Sequence, residues 1–299
     1  MTAAAAGTRP LKLRSALFVP ADSERKLAKG LSAAADVLLL DLEDSVAAAR
    51  KAAARDAAAE FITAHHATAG PRLFVRINPL STPLAMADLA AVVVPGLAGI
   101  MLPKTTGAHD VERLGHCLDA LEARAGLPTG GIVIVPVATE TPEAMLSMGS
   151  YAGGVPRLAA VTWGAEDLAT AVGAMANREA DGNWSPLFQL AESMCLAAAA
   201  AAAVAPIDTV LANFRDLPAL AESCRISRRR GFLGRMAIHP DQVDPINAAY
   251  TPTDAEIAHA RRIVAAFEAD PQAGVVNLDG VMVDRPHLVQ AERILAIGQ

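Results

Sequence analysis

Continuous apolar runs, with little polar alternation inside them, recur along the chain. They are "SALFVP" (15–20), "DVLLLDLED" (36–44), "RLFVRIN" (72–78), "GIMLPK" (99–104), "GIVIVPVATE" (131–140), "RLAAVTWGAED" (157–167), "PIDTVL" (206–211) and "RMAIHP" (235–240). Runs of this kind read as parallel strands covered on both faces. Ala-rich stretches with helical character separate them: Ser23 to Ala34, Ala47 to His65, Pro83 to Val93 and Asp110 to Arg124. A short helix follows Glu140, and the helix after Asp167 is interrupted by the polar loop "NREADGNWSP". Eight strand–helix repeats over about 230 residues predict an α/β fold of the (β/α)8 TIM-barrel type. No GxGxxG follows the first run, which argues against a dinucleotide-binding sheet.

The pattern changes after Tyr250. "TPTDAEIAHARRIVAAFEA" predicts an amphipathic helix, "GVVNLDGVMVD" a hairpin turning at Asp279-Gly280, and "PHLVQAERILA" a final helix. The expected organisation is a barrel over 12–248 and a helix–hairpin–helix extension over 249–299. That extension is expected to cover the barrel or a neighbouring subunit.

Composition narrows the function. Hydrophobic residues make up 53% of the 299 and charged residues 19%, which is globular composition. A net charge of -6 speaks against a nucleic-acid surface. The basic run Arg228-Arg229-Arg230 reads either as a solvated helix end or as a site for an anionic ligand. Cys117, Cys195 and Cys224 are widely spaced and suggest reduced thiols in a cytoplasmic protein. The opening "MTAAAAGTRP" lacks the apolar core of a signal peptide, and the alanine run Ala197 to Ala203 is too short to span a membrane.

Catalytic groups of such barrels gather where the strands end. Here the runs end in Asp41/Glu43/Asp44, Arg76 with Asn78, Lys104, Glu140, Glu166/Asp167 and His239. Glu140 and Asp167 close consecutive strands, so their carboxylates can converge on Mg2+, with the remaining positions left to water and substrate. The competing reading of "ATETPEA" is a helix N-cap at Thr139 or Thr141 followed by Pro142. Arg76 inside an apolar strand needs an anion. It could be paired with Glu43 or Asp44, or it could be a fork for a substrate oxyanion, and the two are compatible. His239 before Pro240 reads as a helix cap or, less readily, a catalytic group. Trp163 reads as barrel packing.

The ordered motifs "LFVP", "DLEDSV", "VRIN", "LPK", "ET", "GAEDLA", "AIHPDQV", "AAYTPT" and "LDGVMVD" resemble the citrate lyase β-subunit-like branch of the HpcH/HpaI aldolase superfamily, from Arg14 to Leu295. Malyl-CoA and citramalyl-CoA lyases belong to the same superfamily. The resemblance implies a cytoplasmic homotrimer or hexamer that uses Mg2+ to cleave or form a carbon–carbon bond beside a carboxylate or thioester. It implies Glu140 and Asp167 as metal ligands. The implied catalytic group is Arg76, Asp284 in "GVMVD" (or a helix cap before Pro286), Glu43 and Asp44. The implied substrate-binding group is Arg76, Glu140, Phe18, Lys29, Arg25, Ile238 and His239. The partner is a small carboxylate or acyl-CoA thioester, with no nucleic acid and no membrane. Ala21 and Ser23 depart from the Gly and Arg of many relatives, so Arg25, Lys26 and Lys29 are expected to take over contacts to CoA phosphates if CoA is used. The alternatives are an aldolase on a free hydroxy-oxo acid, a thioesterase of the same fold, and a β subunit that works only with partner subunits.

Overall fold

A computed structural model describes residues 11–66 and 70–298. The opening stretch weighed above against a signal peptide, 1–10, lies outside the described residues. The chain forms two compact units, one through Asn247 and one from Ala248.

The first unit alternates strands and helices in the order β1 (Ser15–Pro20), α1 (Glu24–Leu31), β2 (Val37–Asp41), α2 (Lys51–His65), β3 (Arg72–Arg76), α3 (Leu84–Val92), β4 (Leu97–Leu102) and α4 (Ala108–Ala125). It continues with β5 (Val133–Pro136), α5 (Pro142–Ser147), β6 (Ala160–Thr162), α6 (Glu166–Val172), α7 (Pro186–Ala201), β7 (Ala205–Asp208), α8 (Leu217–Arg230) and β8 (Gly234–Ala237), and α9 (Val243–Tyr250) crosses its end. The eight strands are parallel neighbours in the order β5-β4-β3-β2-β1-β8-β7-β6. Parallel bridges Ile134↔Leu158 and Val137↔Thr162 join the two outer strands. Ala159 N–H donates to the Ile134 carbonyl at 3.0 Å and Ala138 N–H to the Thr162 carbonyl at 2.8 Å. The result is the (β/α)8 barrel that the apolar runs predicted.

Those runs are continuous because both faces of each strand are covered. All five residues of β2 are buried. Leu17, Leu38, Leu40, Val75, Ile100 and Ile134 are fully buried, and each such side chain is worth about 1.5–3 kcal/mol of burial. The alternate residues Ala16, Val37, Leu39, Phe74, Met101, Val135, Val137, Ala160, Ile207 and Met236 form one packed cluster. Gly99 on β4 leaves the room Phe74 needs, since a Cβ there would lie 2.4 Å from the ring.

Helix ends follow the local chemistry. Thr141 caps α5 by accepting from Ala144 N–H at 3.0 Å, with Pro142 in the first turn. The Arg228-Arg229-Arg230 run is the last turn of α8, where cations favour the carbonyl end, and Arg230 pairs with Glu192 at 2.7 Å. The three cysteines are free thiols. Among the described residues no helix is long and apolar enough to cross a membrane.

The second unit comprises α10 (Asp254–Ala269), β9 (Val275–Leu278), β10 (Val281–Asp284) and α11 (Arg285–Ile297). Ala260, Ile263, Phe267, Val283 and Ala291 make its core. Thr253 and Glu256 cap α10 reciprocally. Asp279 and Gly280 both take positive φ (54° and 82°), the backbone that a two-residue hairpin turn requires.

Candidate active site

The C-terminal ends of the strands surround a cavity of about 710 Å³. Its lining joins residues from far apart in the sequence: Phe18 on β1, Asp41, Arg76, Glu140, Asp167 and His239 among them. This is the rim where the sequence placed its polar strand ends.

Arg76 ends β3 beside Asp41, which ends β2; the two are directly opposite in the strand register. The guanidinium Nε donates to Asp41 Oδ1 at 2.7 Å and Nη2 to Oδ2 at 2.6 Å, a bidentate fork. Glu43 Oε2 lies 3.0 Å from Nη1. The cation also sits 4.7 Å over the Phe18 ring. Burial alone would push the Asp41 carboxyl up, but the Arg76 fork outweighs it and holds the carboxyl low. Arg76 itself is raised despite its burial, so it stays charged. This corrects one expectation. The main partner of Arg76 is Asp41, which was not among the expected site residues; Glu43 is the second partner, and Asp44 pairs with Lys104.

Lys104, just past β4, ties the remaining carboxylates together. Its Nζ contacts Glu43 Oε1, reaches Asp44 Oδ2 at 3.2 Å, and lies 3.4 Å from Asp167 Oδ1. Its backbone adopts φ of 50°, a left-handed conformation uncommon outside glycine. That turn aims the Lys104 N–H at Glu140 Oε2, 2.6 Å away. Burial works against the ammonium, yet Glu43 more than offsets it, so Lys104 is held firmly cationic. The strand-end position of Lys104 was visible in the sequence; its role as the hub was not. The backbone of Glu43 is bolted down from behind. Lys51 Nζ donates to the Leu42 and Glu43 carbonyls, each at 2.8 Å, and Asn78 Nδ2 donates to the Leu42 carbonyl at 3.0 Å.

Glu140 is a buried carboxylate with little compensation. It is 5% exposed, and the Lys104 amide is the hydrogen-bond donor described for it. Burial first, and then the nearby Asp167 charge, push its carboxyl up to about 8 against the pull of the Lys104 amide. Gly164 makes this placement possible, because a Cβ there would lie 2.8 Å from Glu140 Cγ. A buried carboxylate with so little compensation calls for a cation. Asp167, in the first turn of α6, contributes a second oxygen donor from the cavity wall. Among the described residues no group of three His, Cys, Asp or Glu could hold a metal by itself. A pair of hard oxygen donors with other positions left open fits Mg2+, which keeps water and takes ligands from its substrate.

The other expected residues divide. Phe18, Arg25, Lys29, Ile238 and His239 all line the cavity, as does Lys26. His239 caps a short 3-10 turn, accepting from Asp241 N–H at Nδ1, and stacks on Phe214 at 4.8 Å between centroids. Trp163 is buried and donates Nε1–H to Asp208 at 2.8 Å, the packing role expected of it. Asp284 belongs to the second unit, where it caps α11 and pairs with His287 at 2.5 Å; that hydrogen bond holds its carboxyl low.

Comparison with known proteins decides the family. The model for "HpcH/HpaI aldolase/citrate lyase" matches residues 14–240, and one for a carbon–carbon bond lyase of the TIM-barrel fold matches 191–299. The chain belongs to the HpcH/HpaI aldolase/citrate lyase family. It is an enzyme of the carbon–carbon lyase kind, as the motif resemblance implied. Among its relatives, citrate lyase subunit beta of Leuconostoc mesenteroides is 31% identical over 95% of this chain and 92% of its own length. A (3S)-malyl-CoA thioesterase of Cereibacter sphaeroides is 34% identical, over 95% and 93%. Among solved structures, CitE of Mycobacterium tuberculosis in complex with magnesium, acetoacetate and coenzyme A is 32% identical. It has a TM-score of 0.74 and covers 96% of this chain and 98% of that one.

Proposed function

We propose that this protein is a Mg2+-dependent lyase that cleaves or forms a malyl- or citramalyl-CoA-like 3-hydroxyacyl thioester. The observation that carries the reading is one cavity lined by a fixed cation, Arg76, by the under-compensated carboxyl of Glu140, and by the carboxylate of Asp167. The magnesium and coenzyme A named for the CitE neighbour support it.

Glu140 and Asp167 would hold Mg2+, which supplies Lewis-acid stabilisation of oxyanions on the substrate when bound there. In the cleavage direction, a base takes the proton of the substrate's hydroxyl. The carbon–carbon bond then breaks to give a 2-oxo acid, and its electron pair passes to the thioester carbonyl as an enolate. Arg76, pinned by Asp41 and Glu43, offers a preorganised positive charge to that oxyanion at little reorganisation cost. Glu43 and Asp44 act through Arg76 and Lys104. Arg25, Lys26 and Lys29 on α1 present cations along the cavity for an anionic CoA arm, in place of the Gly and Arg replaced by Ala21 and Ser23. Phe18, Ile238 and His239 supply its remaining walls.

The base, on this reading, is Asp284, contributed by the 249–299 extension acting as a cover on its own or a neighbouring barrel in a cytoplasmic homotrimer or hexamer. The same residue returns the proton to the enolate carbon. A second reading, hydrolysis of the same thioester, is favoured by the malyl-CoA thioesterase relative. Assays of malyl-CoA, citramalyl-CoA and the matching free acids, with Mg2+ or with chelator, separate the readings. Oxo acid and acyl-CoA as products support the lyase, and free CoA with intact hydroxy acid supports the thioesterase. No turnover of any thioester by the purified chain sinks the proposal. The particle mass measured in the same preparation tests the oligomer.

A further inference from the structure

Lys104 touches both proposed metal ligands, each through a different part of the residue. Its backbone N–H donates to Glu140 Oε2 at 2.6 Å. Its ammonium Nζ lies 3.4 Å from Asp167 Oδ1, and on its other side it contacts Glu43 and reaches Asp44 Oδ2 at 3.2 Å. The charge therefore stands between the carboxylates that follow β2 and the one that follows β6.

These contacts are unequal. The Glu43 side chain is buried, and its pairing with Nζ is the close one. The Asp167 side chain is 34% exposed and its oxygen is farther away, so water screens that pairing and it is given up easily. Arg76 cannot play the same part, because Asp41 holds it in a bidentate fork and Glu43 takes its remaining nitrogen. Lys104 carries its charge on a flexible four-carbon stem and can shift toward Glu43 and Asp44 without leaving them. An ammonium on a metal ligand opposes Mg2+ twice: it occupies an oxygen the ion needs, and it repels a doubly charged ion. In metal-free protein the same ammonium offsets the repulsion among Glu43, Asp44 and Asp167 and keeps Asp167 at the cavity wall.

We infer that Lys104 is a positioning residue that serves as a built-in counter-ion of the metal site: its ammonium holds Asp167 in metal-free protein, and Mg2+ binds by displacing it from that carboxylate. The inference rests on the metal-site reading proposed above and adds to it a competitor supplied by the chain itself.

The test titrates full-length, metal-free wild type, Lys104→Met, Lys104→Gln and Lys104→Arg with MgCl2 in a calorimeter. It is run at about pH 9, where Glu140 has largely shed its proton and does not obscure the competition. Met and Gln remove the charge but keep the amide to Glu140 and the same left-handed backbone, while Arg keeps the charge. Both neutral variants should bind Mg2+ at least roughly tenfold more tightly than wild type, since a doubly charged ion near an ammonium loses about that much affinity even at the dielectric of water. Lys104→Arg should stay near wild type. At equal free Mg2+, the ion should also raise the melting temperature of the neutral variants more than that of wild type. Unchanged or weaker Mg2+ binding in the neutral variants overturns the inference, and weaker binding would mark Lys104 as a support of the metal site. Equal tightening in Lys104→Arg overturns it as well, because charge would then not be the cause. Failure of both neutral variants to fold overturns it in favour of a purely structural ammonium. Wild type that binds no Mg2+ overturns both this inference and the metal-site reading beneath it.

Discussion

Glu122 and Glu140 are both buried glutamates, and they flank the same strand, β5, at opposite ends. Glu122, on α4 at the N-terminal end, is 0% exposed and fully paired. It accepts from the Gly130 and Ile132 amides at 2.9 and 2.8 Å and from Arg157 at 3.0 and 2.5 Å. Burial pushes its carboxyl up, but Arg157 and the two amides outweigh that and hold it low. Glu140, at the C-terminal end, has one amide and a carboxylate neighbour, and its carboxyl is pushed up to about 8. Both side chains are closed to solvent, but at Glu140 burial outweighs a single amide donor, whereas at Glu122 the summed donors outweigh burial. The bottom of the barrel is built for stability, while the top keeps a carboxylate short of compensation, as a site awaiting a cation requires.

Substitutions should break this symmetry in order of size. Glu140→Ala and Asp167→Ala should each abolish Mg2+-dependent turnover, with circular dichroism and melting showing an intact fold. Glu122→Ala should do the reverse. Removing the buried partner of Arg157, which keeps Asp119 and the Ile132 carbonyl, should cost about 1–3 kcal/mol in chemical denaturation, while turnover per folded molecule stays near wild type. Arg76→Ala should lower kcat on the order of 10²–10³-fold, the loss expected for a charge-stabilising group; near-normal turnover would remove Arg76 from the mechanism.

The pH response sharpens the contrast further. Glu140 has a folded-state pKa above its ordinary value of 4.5, so the stability linked to its bound proton is fully present below about 4.5 and lost as pH rises toward about 8. Metal-free wild type should therefore lose melting temperature over that window relative to Glu140→Gln, and Mg2+ should remove the difference. Glu122 has a depressed pKa, so its contribution is present above the ordinary carboxyl range and is lost only as the solution becomes strongly acidic. A wild-type curve parallel to that of Glu140→Gln would mean that Glu140 does not hold a proton at neutral pH.

The barrel was legible because a parallel sheet covered on both faces forces continuous apolar runs, and the rim was legible because strands of such a barrel deliver their polar ends to one side. Glu140, Asp167 and Arg76 could be picked out on that ground. The partner of Arg76 could not, because it depends on the register that sets Asp41 directly opposite it, and one sequence does not fix the register of two parallel strands. Asp41 carried a signal all the same, as the carboxylate closing a fully buried strand next to one closed by a cation. Lys104 depends on a left-handed backbone that a lysine rarely adopts, and nothing in "LPK" announces it.

Glu140, with its carboxyl pushed up to about 8, holds a proton at neutral pH until a cation replaces it. Titrating Mg2+ calorimetrically at pH 7, in two buffers of different ionisation enthalpy, counts the protons released on binding. With the Glu140 carboxyl near 8, the count should be about one per ion at pH 7, fall toward zero above about pH 9, and be absent in Glu140→Gln. Tight Mg2+ binding at pH 7 with no proton released would contradict it.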